Sequence, residues 1–91
     1  MRFNRLPLEK EMITFNDGNT AFIEKAVLEV GDKVLVKDEN KVGVVVFIDN
    51  DAKDVDPANY DEALGLYRIT YAVDSGDNLP FNFRIEELEK I

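Results

Sequence analysis

The residues of this chain best placed to do chemistry are carboxylates crowded between positions 49 and 62. Six fall within these positions and only Lys53 opposes them: Asp49, Asp51, Asp54, Asp56, Asp61 and Glu62. The formal net charge of the chain is −8, and six carboxylates less one ammonium leave five of those charges in this segment. Clustered carboxylate oxygens can bind Ca²⁺ or the Arg and Lys side chains of another protein. The acidic segment is therefore the first candidate for a binding site.

A calcium loop of the EF-hand type does not fit this segment. Counted from Asp49, the third ligand position holds Lys53, the glycine of the central turn is missing, and Tyr60 stands where a bidentate glutamate is required. We expect no metal here. The carboxylates are interpreted instead as an interaction patch for a basic partner.

The chain lacks the side chains of the common nucleophilic mechanisms. It contains no histidine and no cysteine, and its one serine, Ser75, lies in the turn sequence DSGD. Neither a Ser-His-Asp nor a Cys-His arrangement can be assembled from these residues. A carboxylate pair for glycoside hydrolysis needs opposite walls of a cleft, which a domain of this size rarely supplies. The sequence predicts a protein that is not an enzyme and uses no cofactor.

Length and composition indicate one small domain. The chain has 91 residues, of which 45 % are hydrophobic and 33 % are charged, enough for one core and too few for two. We expect a flexible leader over residues 1–10 and a single domain over residues 11–91. Because the sequence has no cysteine and no apolar run long enough for a signal peptide or a membrane span, it favours a cytoplasmic location away from membranes.

The elements that must position the acidic segment are predicted to be β-strands. Residues 11–25 have the pattern of a hairpin around Asp17-Gly18, because glycine supplies the positive φ that a tight turn requires. Lys33–Lys37 alternates valines with other residues, which predicts a strand with one apolar face.

The next strand is predicted over Val42–Ile48, and it is apolar on both faces. Such a strand needs a cover on each side, and the N-terminal hairpin is expected to provide one. Gly43 is expected to mark a bulge or a bend. By alternation Phe47 shares a face with Val45, so Phe47 either packs beneath the hairpin or is exposed at a binding surface.

A short helix is predicted over about residues 57–64, inside the acidic segment. Asp56 is a good N-cap, Pro57 suits the first helical position, and Gly65 suits the C-terminal end.

Two further strands are predicted over residues 66–74 and 79–86, followed by one helical turn at the C-terminus. Their aromatic side chains recur with a period of two, which predicts that they fill the interior of a small barrel. These residues are Tyr67, Tyr71, Phe81 and Phe83.

Two sequence segments carry a resemblance to a known fold family. They read VGDKVLVKDENKVGVVVFI and LYRITYAVDSGDNLPFNFRIEELEKI. Together they resemble the small SH3-like barrels of the Tudor-like and KOW-like type over residues 30–91. The resemblance implies a mainly β fold, a small SH3-like barrel. The N-terminal hairpin extension and the one short inserted helix, both predicted from the residues, fall outside the minimal barrel of this type. It also implies a binding module, since such barrels contact peptides, methylated side chains, RNA or protein assemblies.

The first functional hypothesis is a protein-binding module that engages a basic partner surface through its acidic segment. The residues expected to contact the partner are Asp49, Asp51, Asp54, Asp56, Tyr60, Asp61, Glu62 and Phe47. The hairpin could dock on its own barrel or on a second subunit, because an isolated hairpin is marginally stable, so a homo-oligomer is a further hypothesis.

Two alternatives remain open. The chain could be an acidic inhibitor of phage or mobile-element type that imitates nucleic acid and blocks a nucleic-acid-binding protein. It could also bind RNA or DNA directly as a KOW-like module, although its negative charge opposes an approach to phosphates. The basic residues of that alternative are Lys33, Lys37, Lys41, Arg68 and Arg84.

Overall fold

The computed structural model describes residues 8–50, 55–76 and 80–91, and they form a mainly β structure. Their nine strands are β1 Lys10–Thr14, β2 Thr20–Glu24, β3 Lys33–Val36, β4 Lys41–Asp49, β5 Tyr60–Asp61, β6 Leu66–Tyr67, β7 Thr70–Asp74, β8 Phe81–Phe83 and β9 Leu88–Lys90. The helices described, Pro57–Asn59 and Ile85–Glu87, are single 3-10 turns of three residues. Neither of them has the length or the apolar character that crossing a membrane requires. The leader predicted over residues 1–10 lies mostly outside the described residues.

The first sheet has four strands in the order β1-β2-β6-β5. β1 and β2 form the predicted hairpin, and Gly18 at its turn has a φ of 89°. Asp17 helps to hold the turn, because its Oδ1 accepts a hydrogen bond of 2.9 Å from the backbone N–H of Asn19. β2 pairs in parallel with β6, with Ile23 opposite Tyr67.

The second sheet has five strands in the order β8-β7-β4-β3-β9. All its neighbours are antiparallel, and the last strand, β9, returns along the chain to pair with the first, β3. β8 and β9 are left as the two edges of this sheet among the described residues. The strands therefore form two open sheets, and the predicted closure into one barrel is not observed.

The core lies on one side of the five-stranded sheet. Val34 and Val36 of β3 point into it as the alternation predicts, and they meet Val45 of β4, Val73 of β7 and Leu88 of β9. The remaining buried members of this cluster are Ile23, Leu28, Ile69 and Tyr71.

Tyr71 is the largest fully buried side chain of the core. Its hydroxyl oxygen accepts a hydrogen bond of 3.1 Å from the backbone N–H of Val27, which satisfies the polar end of the ring. Burial raises the pKa of Tyr71 above its ordinary value. The other predicted core aromatics differ, since Tyr67 and Phe83 are half-buried and Phe81 is exposed.

The predicted helix over residues 57–64 is not formed. Asp56 caps a helical turn as expected, with Oδ1 accepting from the N–H of Ala58 at 2.9 Å, but the turn ends at Asn59. Tyr60 then pairs with Tyr67 in an antiparallel strand. The strand brings the two tyrosine rings to a centroid distance of 4.9 Å, and this packing across a strand pair outweighs the local helix signal.

The C-terminal elements are shorter than predicted. The strand expected over 66–74 is interrupted at Arg68–Ile69, and the strand expected over 79–86 is limited to Phe81–Phe83. The predicted helical turn at the C-terminus is instead a 3-10 turn followed by β9. Backbone pairing of β9 with β3 explains this difference, because it satisfies both strands' polar groups.

Gly43 has a different role from the predicted bulge. It lies opposite Val34 in regular pairing, and its neighbours on β7 leave no room for a side chain. An added Cβ would lie 2.5 Å from Cγ1 of Val73 and 2.9 Å from the carbonyl oxygen of Asp74. The glycine therefore allows β4 and β7 to approach each other closely.

Replacement of Gly43 by alanine is expected to destabilise the fold by about 1–3 kcal/mol, because the methyl group must displace packed atoms of β7. Urea denaturation monitored by circular dichroism measures the loss. Val42→Ala, an exposed change one residue away, is the matched control and should change the free energy of unfolding by about 0.5 kcal/mol. Equal effects of the two substitutions would contradict the steric role of Gly43.

Candidate protein-binding surface

The side of the five-stranded sheet that faces away from the core is named the outer face. Residues directly opposite each other on paired strands lie on the same face. The register places Leu35 opposite Val42, Lys33 opposite Val44, and Phe47 opposite Ala72. The outer face thus carries a row of apolar side chains along β4.

A β-bulge in β4 determines which face Phe47 occupies. Val45 pairs with Val73, but the next pair is Phe47 with Ala72, so Val46 is an extra residue. A one-residue insertion inverts the alternation that follows it. Phe47 therefore leaves the face of Val45, where simple alternation places it, and is 59 % exposed.

The apolar strip on the outer face is defined here as Val42, Val44, Val46 and Phe47, all of them exposed. The hairpin predicted to cover β4 does not lie over this strip, because it pairs with β6 in the other sheet and contributes Ile23 to the core. Contiguous exposed apolar side chains on a small protein are typical of interaction sites. This finding favours the exposed alternative for Phe47.

Charged side chains surround the apolar strip. Asp74 lies opposite Val44, Glu89 lies opposite Leu35, and Asp49 continues the outward positions of β4. In β3, β4, β7 and β9 these three carboxylates share the outer face with one ammonium group, that of Lys33. The outer face is therefore apolar in its middle and acidic at its margin.

The acidic segment contributes its carboxylates unequally. Asp56 and Asp61 use an oxygen to accept backbone N–H groups, from Ala58 and Leu64 respectively, while Asp49 and Glu62 are exposed. Asp51 and Asp54 lie outside the described residues. Within the described ranges, no group of three or more Asp or Glu side chains converges in a way that could hold a metal ion.

The structure places most of the described contact residues in two groups, and Arg68 borders both of them. Asp49 and Asp56 line a small cavity that Arg68 also lines. Tyr60, Asp61 and Glu62 line an open groove of about 570 Å³, again with Arg68. Phe47 belongs to neither set and lies on the outer face.

Arg68 forms an ion-pair network that the sequence analysis did not identify. Its Nε donates to Oε1 of Glu24 on β2 at 2.7 Å, and its two terminal nitrogens donate to the two carboxylate oxygens of Glu86. Glu24 is only 2 % exposed, and its Oε1 also accepts from the N–H of Ile69. The network joins β2, the β6–β7 connection and the last 3-10 turn.

Hydrogen bonding shifts the pKa of two members of the network, Arg68 and Glu86. Burial by itself would lower the pKa of Arg68, but the hydrogen bonds to Glu86 and Glu24 outweigh burial and raise it above its ordinary value. The hydrogen bonds from Arg68 lower the pKa of Glu86, against the opposing effect of burial. A sequence signal for the network does exist, because Arg68 is the one charged residue between positions 64 and 73.

Arg68→Met is expected to lower the free energy of unfolding by about 3–5 kcal/mol, because Glu24 then remains buried without a cation. The double variant Glu24→Met, Arg68→Met should regain most of this loss, since no buried charge is left uncompensated. Chemical denaturation measures both. Lys25→Met is the control, because the Lys25–Glu9 pair is exposed and 3.9 Å apart, and its loss should cost about 1 kcal/mol or less. A double variant as unstable as Arg68→Met alone would show that the ion pair is not the cause.

The lowered pKa of Glu86 predicts a pH dependence. A carboxylate whose pKa falls on folding stabilises the fold above its unfolded pKa of about 4.3 and loses this contribution as pH falls through the folded value. Glu86→Gln should therefore be less stable than the parent at pH 7, and the difference should shrink in acid. The carboxylate is 59 % exposed, so the effect is about 1 kcal/mol or less.

Denaturation midpoints at a series of pH values between neutral and acid measure this dependence for the parent and for Glu86→Gln. Glu89→Gln removes an exposed carboxylate on β9 and serves as the charge-matched control. A stability difference between Glu86→Gln and the parent that is constant over the whole pH range would contradict the assignment.

Compared with protein families, with curated proteins and with solved structures, the chain gives no match, so inferences about its function rest on the geometry of its own residues.

Proposed function

We propose that this chain is a non-enzymatic protein-binding module that engages a basic partner surface through its outer face and its acidic segment. The observation that carries the proposal is the exposed side chain of Phe47, which ends an apolar strip and lies two residues before Asp49. An aromatic side chain beside carboxylates can bury apolar surface against a partner while the carboxylates attract its basic residues.

Protein interfaces obtain their affinity and their rate of association from different kinds of residues. Affinity comes mainly from a few large apolar side chains that become fully desolvated, and charged residues at the margin contribute mostly to the rate of encounter. Phe47 and the valines of the apolar strip supply the apolar side chains. Asp49, Asp74 and Glu89 supply the charged margin, and the net charge of −8 extends the electrostatic attraction over a longer range.

The residues of the acidic segment have different roles in the proposed binding. Asp56, Tyr60 and Asp61 shape the segment, since two of them accept backbone hydrogen bonds and the tyrosine packs on Tyr67. Glu62 is exposed and available to a basic side chain. The carboxylates of Asp51 and Asp54 are included for their charge, which the sequence alone provides.

We also propose that the five-stranded sheet is the counterpart of the small Tudor-like and KOW-like barrels that the sequence resembles. The antiparallel run of β3, β4, β7 and β8 and the return of β9 to β3 support this proposal. Direct nucleic-acid binding is not included in it. Of the basic residues that such binding would use, Arg68 is matched by two carboxylates and Arg84 donates to Asn59 Oδ1.

The proposal predicts that a photo-crosslinking amino acid at position 47 captures a specific protein in cells that produce this chain naturally. The same amino acid at Asn16, an exposed position in the hairpin turn, is the control. Mass spectrometry of the crosslinked products identifies the partner. If the products at positions 47 and 16 are the same, or if no product forms at position 47, the outer face is not the binding surface.

With the purified partner, Phe47→Ala is expected to weaken binding by about 2 kcal/mol, mainly through faster dissociation. Asp49→Asn with Glu62→Gln should instead slow association and reduce its dependence on salt. Surface plasmon resonance at several salt concentrations separates the two effects. Competition with DNA for the same partner would favour the inhibitor alternative, and an unoccupied DNA site on the partner would favour an adaptor.

A further inference from the structure

The edge strand β1 has unused backbone hydrogen-bonding groups. Just outside the two ends of β1, Lys25 N donates to Glu9 O at 2.8 Å and Phe15 N donates to Asn19 O at 2.7 Å. The odd-numbered residues therefore direct their backbone groups toward β2. In an antiparallel pair the intervening residues point their N–H and C=O groups the other way. Those of Met12 and its even-numbered neighbours therefore face outward. In the part of the chain that the structure describes, no strand pairs with this side of β1.

The side chains beside this edge are apolar. Met12 is 63 % exposed and lies opposite Phe22 of β2, which is also exposed. Charged residues at an edge strand often prevent unwanted pairing. Here the ammonium of Lys10 lies 4.5 Å from the centre of the Phe22 ring, over the face of the sheet. The edge is thus left open at Met12.

We propose that two copies of this chain associate through antiparallel pairing of their β1 strands about a two-fold axis at Met12. The two four-stranded sheets then become one continuous sheet. The pairing places Met12 opposite Met12 of the second copy and Lys10 opposite Thr14 of the second copy. All the outward-facing backbone groups of β1 are used in about six hydrogen bonds between the copies.

Two properties favour this register of the paired β1 strands: the charges that it brings opposite each other and the number of residues that pair. An axis at Glu11 would bring the Glu11 carboxylates of the two copies together, which is destabilising. An axis at Ile13 would place Lys10 opposite Asn16 in the hairpin turn and shorten the paired region. With the axis at Met12 all five residues of β1 pair, and Glu11 meets Ile13 of the second copy. This register brings no two like charges directly opposite each other.

The same register also gives the association an apolar component. Phe22 and Met12 lie side by side across the hairpin, and the axis adds Met12 and Phe22 of the second copy in the same row. Such a contact is isologous, so it closes at a dimer and does not extend into a filament. The outer faces belong to the other sheet and stay exposed, so a dimer presents two of them to a partner.

Salt separates this association from the proposed partner binding. Each copy carries a net charge of −8, so the two copies repel each other at long range. Added salt screens that repulsion and should strengthen the dimer. Added salt should instead weaken the binding to a basic partner.

Sedimentation equilibrium over a range of protein and salt concentrations tests the proposal on the full chain. The parent is expected to reach the mass of a dimer at lower protein concentration as salt increases. Met12→Lys places two ammonium groups at the axis and should weaken the dimer by about tenfold or more, since 1.4 kcal/mol corresponds to tenfold. Circular dichroism should show that it remains folded, because Met12 is exposed.

Disulfide formation tests the register directly, because the chain has no cysteine of its own. Opposed residues in a hydrogen-bonded pair have Cα atoms about 5.5 Å apart, within the range of about 4.4–6.8 Å that a disulfide spans. Met12→Cys should therefore form a disulfide-linked dimer rapidly under mild oxidation. Asn16→Cys, exposed in the hairpin turn, is the control and should not.

A parent that stays monomeric at every salt concentration, or a Met12→Lys variant that dimerises as well as the parent, would overturn the proposal. Equal rates of disulfide formation at positions 12 and 16 would do the same. None of these outcomes concerns Phe47 or the outer face, so the protein-binding proposal is tested separately.

Discussion

The two sheets of this protein are joined by one buried guanidinium. Arg68 lies where the chain leaves the first sheet for the second, and it binds Glu24 of the first sheet and Glu86 beside the last strand of the second. Charges this deeply buried are tolerated only when each has its counterpart. A three-residue network thus bridges the two sheets in addition to the core contacts of Ile23, and the groove and the small cavity beside the acidic segment are both lined by Arg68.

The same arrangement explains why one sheet face remains exposed. The hairpin is held to β6 on one side of the molecule, so it supplies Ile23 to the core and does not cover β4. A sheet with one face against the core and one face toward solvent usually alternates apolar and polar residues. β4 departs from this pattern, since Val42 and Val44 lie outward among its exposed residues. This departure is the reason for proposing that the outer face contacts another molecule.

The bulge at Val46 changes this surface by a local backbone rearrangement. Without the extra residue, Phe47 would follow Val45 into the core. With it, the aromatic ring is exposed next to Asp49, and apolar and acidic groups become neighbours. A bulge costs regular pairing at one position, and such features often re-aim a side chain at a functional position. The proposed binding surface therefore takes its apolar anchor and part of its charged margin from neighbouring residues of one strand.

The sequence by itself determined the features that depend on neighbours along the chain. The hairpin around Gly18, the alternation of β3 and the cap at Asp56 were predicted correctly, because turn conformation, side-chain direction and N-capping are local properties. The sequence also established the composition of the acidic segment, and it excluded nucleophilic mechanisms that need histidine or cysteine.

Only the tertiary structure decided what depends on residues far apart. The ion pair of Arg68 with Glu24 joins residues 44 positions apart. Even over the shorter separation from Tyr60 to Tyr67, strand pairing replaced the helix that the local pattern predicted. The exposed face of Phe47 depends on how β4 pairs with β7 across one extra residue. Pairing between distant strands has no signature in any short window of sequence, because its free energy comes from contacts that exist only once the chain has folded.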